Sequence, residues 1–140
     1  MKIKNLQKGK SKSQSYYKKK LDAVFSEYIR LKYADKNGMV RCVTCGAIKY
    51  WKELQAGHYI SRQYLAVRFY ENNVFPQCVG CNVFKHGNYT SYALYMLDKY
   101  GEEKLQWLEQ QKHVITKYYP YEEKINFYKE RVKELEKRIL

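Results

Sequence analysis

The sequence predicts an α+β fold, a small strand-bearing core stapled by cysteines with mainly helical segments on either side. Three observations predict it. All four cysteines fall into two Cys-x-x-Cys pairs, Cys42 with Cys45 and Cys78 with Cys81, and a two-residue gap lets both sulfurs of a pair turn toward one point. Between the pairs lie short stretches of strand character broken by turn residues. Outside them, apolar residues recur at three- and four-residue steps, the period of an amphipathic helix.

Composition bounds the rest. A chain of 140 residues makes one domain, with room for an appended helix. Lys and Arg outnumber Asp and Glu by 27 to 14, a formal charge of +13, which favours a polyanionic partner, nucleic acid first and an anionic membrane surface second. The 16 tyrosines suit surfaces that stack on bases, although half-buried core is the ordinary place for such rings. No apolar run approaches the roughly 20 residues that span a bilayer, and no signal-peptide pattern follows the basic N-terminus. A cytoplasmic protein with no membrane partner is expected, and there paired cysteines mean metal rather than disulfide.

Residues 1–15 carry five lysines and no acid, a flexible basic arm that is either a phosphate clasp or a solubilising tail. From Tyr16 to Ala34 the spacing of Tyr17, Leu21, Val24, Phe25, Tyr28 and Ile29 predicts a helix, which Asp35-Lys36-Asn37-Gly38 ends with turn chemistry. Met39 to Cys42 reads as a strand. Lys49 to Ala56 reads as a loop or short helical turn, residues 56–60 as a second strand, and Tyr64 to Tyr70 as another extended stretch. Glu71-Asn72-Asn73 is a turn, Val74 to Gln77 leads into the second cysteine pair, and from Asn82 the pattern turns helical. One helix is expected to stop at Gly101, and another runs from Glu102 to His113. After the break at Lys117 to Pro120, residues 121–140 form an amphipathic helix. Its Ile125, Tyr128, Val132, Leu135 and Ile139 make the seam of a coiled coil or of one helix docking on the domain. Residues 16–120 therefore form the body of the protein.

The four cysteines can close a tetrahedral zinc site, and that site can be a structural staple and nothing more. The residues between and behind them suggest chemistry as well. Hydrolysis of a phosphodiester needs an activated water and a cation on the phosphate oxygens. His58 offers a neutral imidazole as base near pH 7. Asn82, directly behind Cys81, and His86, one helical turn later, offer ligands for Mg2+ or Mn2+. Asn73, with 14 residues between it and His58 and 8 between it and Asn82, can hold the intervening loop so that the imidazole is aimed. Arg62, Arg68 and Lys85 are placed to grip a phosphate backbone. Each has a plainer role available: a structural histidine or zinc ligand for His58, a helix cap for Asn82, a turn residue for Asn73, exposed surface for His86 and Lys85.

The spacing of His58, Asn73 and Asn82 resembles the HNH (ββα-metal) nuclease motif in its zinc-stapled form. Cys-x-x-Cys, then Gly57-His58, then Cys-x-x-Cys-Asn also resembles the phage endonuclease VII resolvases. The broadest likeness is to the NinG (Rap) recombination proteins of lambdoid phages. It is carried by Ser26-Glu27-Tyr28-Ile29-Arg30-Leu31, Cys42-Val43-Thr44-Cys45-Gly46, Ala56-Gly57-His58-Tyr59, Asn73-Val74 and Gln77-Cys78-Val79-Gly80-Cys81-Asn82, with Lys85 and Gly87-Asn88. This resemblance implies an endonuclease for branched DNA, Holliday junctions and D-loops, working in the host cytoplasm with structural Zn2+ and catalytic Mg2+ or Mn2+. One departure stands out. Many HNH nucleases carry an acid or a second histidine just before the base, where this chain has Gly57. A non-specific or restriction-type nuclease, a non-catalytic zinc module that binds DNA, and a degenerate subunit that recruits partners are the competing readings. Because a four-way junction is cut on two strands and the chain has one such motif, a homodimer is expected, joined through residues 121–140.

Overall fold

The computed structural model describes residues 12–140; most of the expected basic arm, residues 1–11, lies outside them. The first helix, α1 (Gln14–Lys32), starts two residues earlier than the spacing predicts, because Ser13 caps it by accepting the Tyr16 amide. Leu21, Val24, Phe25, Tyr28, Ile29 and Leu31 are its buried stripe. It ends where the Asp35 carboxylate accepts the amides of Asn37 and Met39, and Gly38 takes a positive φ of 77°.

Two separate antiparallel pairs follow. Strands β1 (Met39–Arg41) and β2 (Ile48–Tyr50) flank the first cysteine pair. The stretch from Lys49 to Ala56, read as a loop or short helical turn, does hold one helical turn at Trp51–Glu53, set between the end of β2 and the start of β3 (Leu54–His58). That strand begins two residues before the predicted one, since Leu54 and Gln55 already pair with Cys78 and Gln77 of β4 (Val74–Cys78). The extended stretch expected over Tyr64 to Tyr70 is a helical turn, α2 (Leu65–Arg68). Its chain reverses because the Tyr64 carbonyl accepts the amides of Val67 and Arg68, and Val67 drops fully into the core. A tight turn at Glu71–Asn73 then leads into β4.

The helix expected from Asn82 is broken. A single wide π-helical turn spans Gly80–Phe84. His86, Gly87 and Asn88 then adopt positive φ, a conformation no right-handed helix continues through. Only from Tyr89 does α3 (Tyr89–Tyr100) begin, followed by α4 (Glu102–Gln110), a helical turn through His113, and α5 (Tyr121–Glu136).

Two apolar clusters result. In the larger, α5 lies on α1: Tyr121, Ile125, Tyr128, Val132 and Leu135 are buried, and the Tyr128 ring sits 4.8 Å from Tyr28 and 5.1 Å from Phe25. The seam of the last helix is thus covered by the same chain, the second of its two expected uses. Burying side chains of this size stabilises by about 2 kcal/mol each. Glu71 ties the packing together by accepting from Tyr28, Lys32 and Tyr128. The smaller cluster joins Ile60, Val67 and Phe75 to Tyr92, Met96 and Leu108 of α3 and α4. Among the described residues no helix is long and apolar enough to cross a membrane.

Candidate active site

The four cysteines meet. Their sulfurs all lie within 4.8 Å of one another, and the Cys45 and Cys78 sulfurs are 3.7 Å apart. A tetrahedral ion with metal–sulfur bonds of about 2.3 Å needs sulfurs about 3.8 Å apart, so the cluster can hold a metal ion such as zinc. Its surroundings suit thiolates. The Cys81 amide donates to the Cys78 sulfur, the Asn88 side chain to the Cys81 sulfur, and the Thr44 hydroxyl lies 3.4 Å from the Cys42 sulfur. No disulfide forms among them. The cluster therefore joins the β1–β2 turn to the end of β4 and fixes the π-helical turn that carries Asn82.

Beside it opens a polar cleft of about 490 Å³. His58 from the end of β3, Asn82 from the π-helical turn and Asp22 from α1 all line it, with Gln55, Ser61 and Arg62. The His58 Nε2 lies 2.8 Å from the Arg68 carbonyl oxygen. A carbonyl only accepts, so Nε2 carries the proton and Nδ1 keeps its lone pair. Burial pushes the imidazole below its ordinary pKa and the Arg68 and Arg62 charges add to this, against the Arg68 carbonyl and the Asp22 carboxylate. The ring is therefore neutral near pH 7, a base with a fixed tautomer. Asn82 donates through Nδ2 to Gln55 at 2.7 Å, which turns its Oδ1 into a hard oxygen donor whose orientation is set.

Asn73 does not line the cleft. It is fully buried, and its side chain accepts the Ile60 amide at 2.8 Å and donates to the carbonyls of Ile60 and Val67 at 3.0 and 3.1 Å. Those bonds brace the loop between β3 and α2, whose next carbonyl, at Arg68, holds His58. Asn73 is a positioning residue, not a group that reaches substrate.

Gly57 has a structural reason to lack a side chain. A Cβ there would stand 1.9 Å from Gln77 Oε1, far inside van der Waals contact. Gln77 is fully buried and donates to Thr44 and to the Gly87 carbonyl, while its Oε1 has no polar partner. That oxygen faces the Gly57 α-carbon, the geometry of a weak Cα–H···O contact. Any side chain at this position, an acid included, is thus excluded by packing from β4.

Other expectations need correcting. Arg68 is not free to grip DNA: its guanidinium is bidentate to Asp22 and also donates to the Arg62 carbonyl. His86 and Lys85 are exposed but do not line the cleft, because the chain leaves the helical path at His86, and the ladder that would have put it one turn beyond Asn82 does not exist. Arg62 is exposed and lines the cleft. Asp22 and Gln55 were missed. Asp22 is one of two acids in α1 and stands just beyond the run Lys18-Lys19-Lys20, which was the available signal for it; nothing marked Gln55.

Comparison with curated proteins and with solved structures finds no match. A family match does emerge, and it runs over residues 2–138, so it takes in the cysteine cluster, the cleft and both terminal helices. The chain belongs to the Bacteriophage Lambda NinG protein family.

Proposed function

We propose that the protein is a metal-dependent endonuclease of the zinc-stapled HNH type, related to the endonuclease VII resolvases, that cuts branched DNA during phage recombination. The observation that carries this reading is the meeting, in one polar cleft, of His58, held through Nε2 by the Arg68 carbonyl, and Asn82, its amide pinned to Gln55. The charge of +13 supports a DNA partner, and membership of a family associated with phage recombination supports the setting.

In this mechanism His58 Nδ1 removes the proton from the water that attacks phosphorus, the P–O bond to the leaving strand breaks, and the departing oxygen takes a proton from solvent, while Nε2 keeps its bond to the Arg68 carbonyl, so the ring turns imidazolium without turning over. Burial keeps the ring in its neutral, proton-accepting form near pH 7, and the nearby Asp22 carboxylate favours the imidazolium once it forms. Asn82 would hold a Mg2+ or Mn2+ ion together with water and the phosphate, and such an ion supplies charge stabilisation at the phosphate oxygens. Arg62 stands at the cleft edge to meet the backbone. The Cys42, Cys45, Cys78 and Cys81 cluster would hold Zn2+ and keep the turn bearing Asn82 in place.

The test is cleavage of a labelled four-way junction against a linear duplex of matched sequence, with Mg2+, Mn2+ or EDTA. Divalent-dependent cutting of the junction in preference to the duplex is expected. Binding without cutting under every metal condition would favour the second reading, a non-catalytic zinc module for DNA, whose supporting observation is the missing acid at Gly57. Cutting of both substrates alike would make the protein a general nuclease. A homodimer remains part of the proposal because two strands of a junction must be cut, but its interface must lie away from the α5 seam that α1 covers.

A further inference from the structure

A second cleft, of about 420 Å³, adjoins the first, and Ser61 and Tyr89 line both. Its walls are Tyr59, Ile60, Tyr64 and Tyr89, with Glu109 and Lys112 of the α4 region at its edge. We infer that this tyrosine cleft takes a nucleobase swung out of the DNA stack at a branch, next to the phosphate held in the His58 cleft. The inference rests on the nuclease reading only for the place of that phosphate.

The tyrosines are held ready for such a task. Tyr89 is half-exposed, yet its ring lies against Gly87, where a Cβ would already stand 3.1 to 3.4 Å from three ring carbons. The segment beneath it is pinned: the Gly87 amide donates to the Cys81 carbonyl, its carbonyl accepts from Gln77, and Asn88 bonds the Cys81 sulfur. Tyr59 is backed by Tyr92, with ring centres 5.5 Å apart. Rings fixed on one side and open on the other lose little freedom when a base stacks on them, and every base offers a face to stack.

The polar groups at the edge select a base over a phosphate. The Lys112 ammonium is bound to the Glu109 carboxylate at 2.8 Å and lies 5.7 Å from the Tyr64 ring. A carboxylate repels a phosphodiester but accepts from the amino groups of adenine, cytosine and guanine, while the ammonium donates to ring nitrogens and carbonyls. In continuous duplex DNA the bases are stacked out of reach. At a branch point extruding one is cheaper, since unpaired or distorted bases unstack at least cost, so the cleft would contribute to branch selectivity.

The experiment is a cycle of two deletions read by binding without added Mg2+ or Mn2+, so that no cleavage is required and the cysteine cluster keeps its metal. Four-way junctions carrying one abasic nucleotide, scanned along the strands about the branch, are titrated with the full-length protein and with Tyr89→Leu, against a matched linear duplex. One stacked base contributes roughly 1–3 kcal/mol, so at one position the abasic lesion is expected to weaken binding of the unaltered protein about tenfold. Tyr89→Leu should weaken binding of the intact junction to a similar degree, the lesion should cost that variant nothing further, and Tyr89→Phe should restore the effect. Linear-duplex affinity should not change. A junction affinity unaltered by Tyr89→Leu, or lesion and substitution effects that simply add, would overturn the inference. Because Tyr89 is half-exposed, melting temperature checks that the variant is folded, and Tyr64→Leu repeats the cycle from the opposite wall. Failure of cleavage in every metal with this cycle intact would sink the nuclease reading alone.

Discussion

The cysteine cluster and the His58 cleft lie side by side but are built in opposite ways. The cluster uses four identical ligands from two short local motifs, and its sulfurs are engaged by one another and by Thr44, Asn88 and a backbone amide. The cleft draws on α1, β3, the loop after it and the π-helical turn, and each of its two central side chains makes one hydrogen bond among the described residues. One site closes on itself and holds structure; the other is held open by its neighbours. Damage to the first should therefore remove both, whereas damage to the second should leave the first intact.

The sharpest break is Cys78→Ser. Metal binding contributes on the order of 10 kcal/mol to folding in isolated zinc fingers, and Cys78 also ends β4 opposite Leu54. Loss of stoichiometric zinc, measured by elemental analysis, together with a collapsed melting transition is expected; retained zinc and melting would refute a four-thiolate site. His58→Ala is the reverse case. Removing a general base typically costs about 10² to 10⁴ in rate, so cleavage should be lost while zinc content and junction affinity stay near those of the unaltered protein. Equal losses of binding and cleavage would make His58 structural.

Asn73→Ala lies between the two. It strands the Ile60 amide and carbonyl and the Val67 carbonyl, and unpaired buried groups cost about 1–3 kcal/mol. A lowered denaturation midpoint and slowed cleavage with zinc retained are expected, because the loop that holds His58 loses its brace. A smaller effect belongs to Gly57→Ala, which forces the Gln77 amide aside at a cost of about 1–3 kcal/mol. Gln77→Ala should relieve part of that loss, and additive melting shifts would show that the two side chains do not compete for one space.

The smallest effect is on pH dependence. The folded imidazole of His58 titrates below its ordinary value because it is buried. The unfolded chain then binds a proton that the folded chain refuses, so this contribution is present above the ordinary imidazole pKa and is lost as pH falls through and below it. Melting temperature followed across that range should fall less steeply in His58→Gln than in the unaltered protein.

How much of this was legible depended on whether the signal was local. The cysteine pairs, the amphipathic period of α1, and the periodic seam of α5 are patterns a few residues long, and the structure has them. His58 and Asn82 share a cleft as their spacing suggested. The rest is tertiary. Arg68 reads as a free cation until Asp22, 46 positions away, is seen bound to it. Gly57 reads as a missing acid until Gln77 from the partner strand is found in its space. The helix expected from Asn82 fails for a similar reason: the Gly87 carbonyl goes to Gln77 and Asn88 to a cysteine sulfur, so long-range bonds override local propensity.

The packing of α5 on α1 has a consequence for how the molecule is made. The two helices come from opposite ends of the described chain, and the Leu140 amide donates to the Lys36 carbonyl. During synthesis the apolar face of α1 emerges early, with the cysteine pairs and the cleft residues following it, yet nothing covers that face until α5 has been translated. Contacts so distant in sequence slow folding, and surface left open in the meantime invites association with other chains. A nascent chain halted before Tyr121 could gather its four cysteines around a metal while its first helix, which carries the Asp22 wall of the cleft, stayed uncovered.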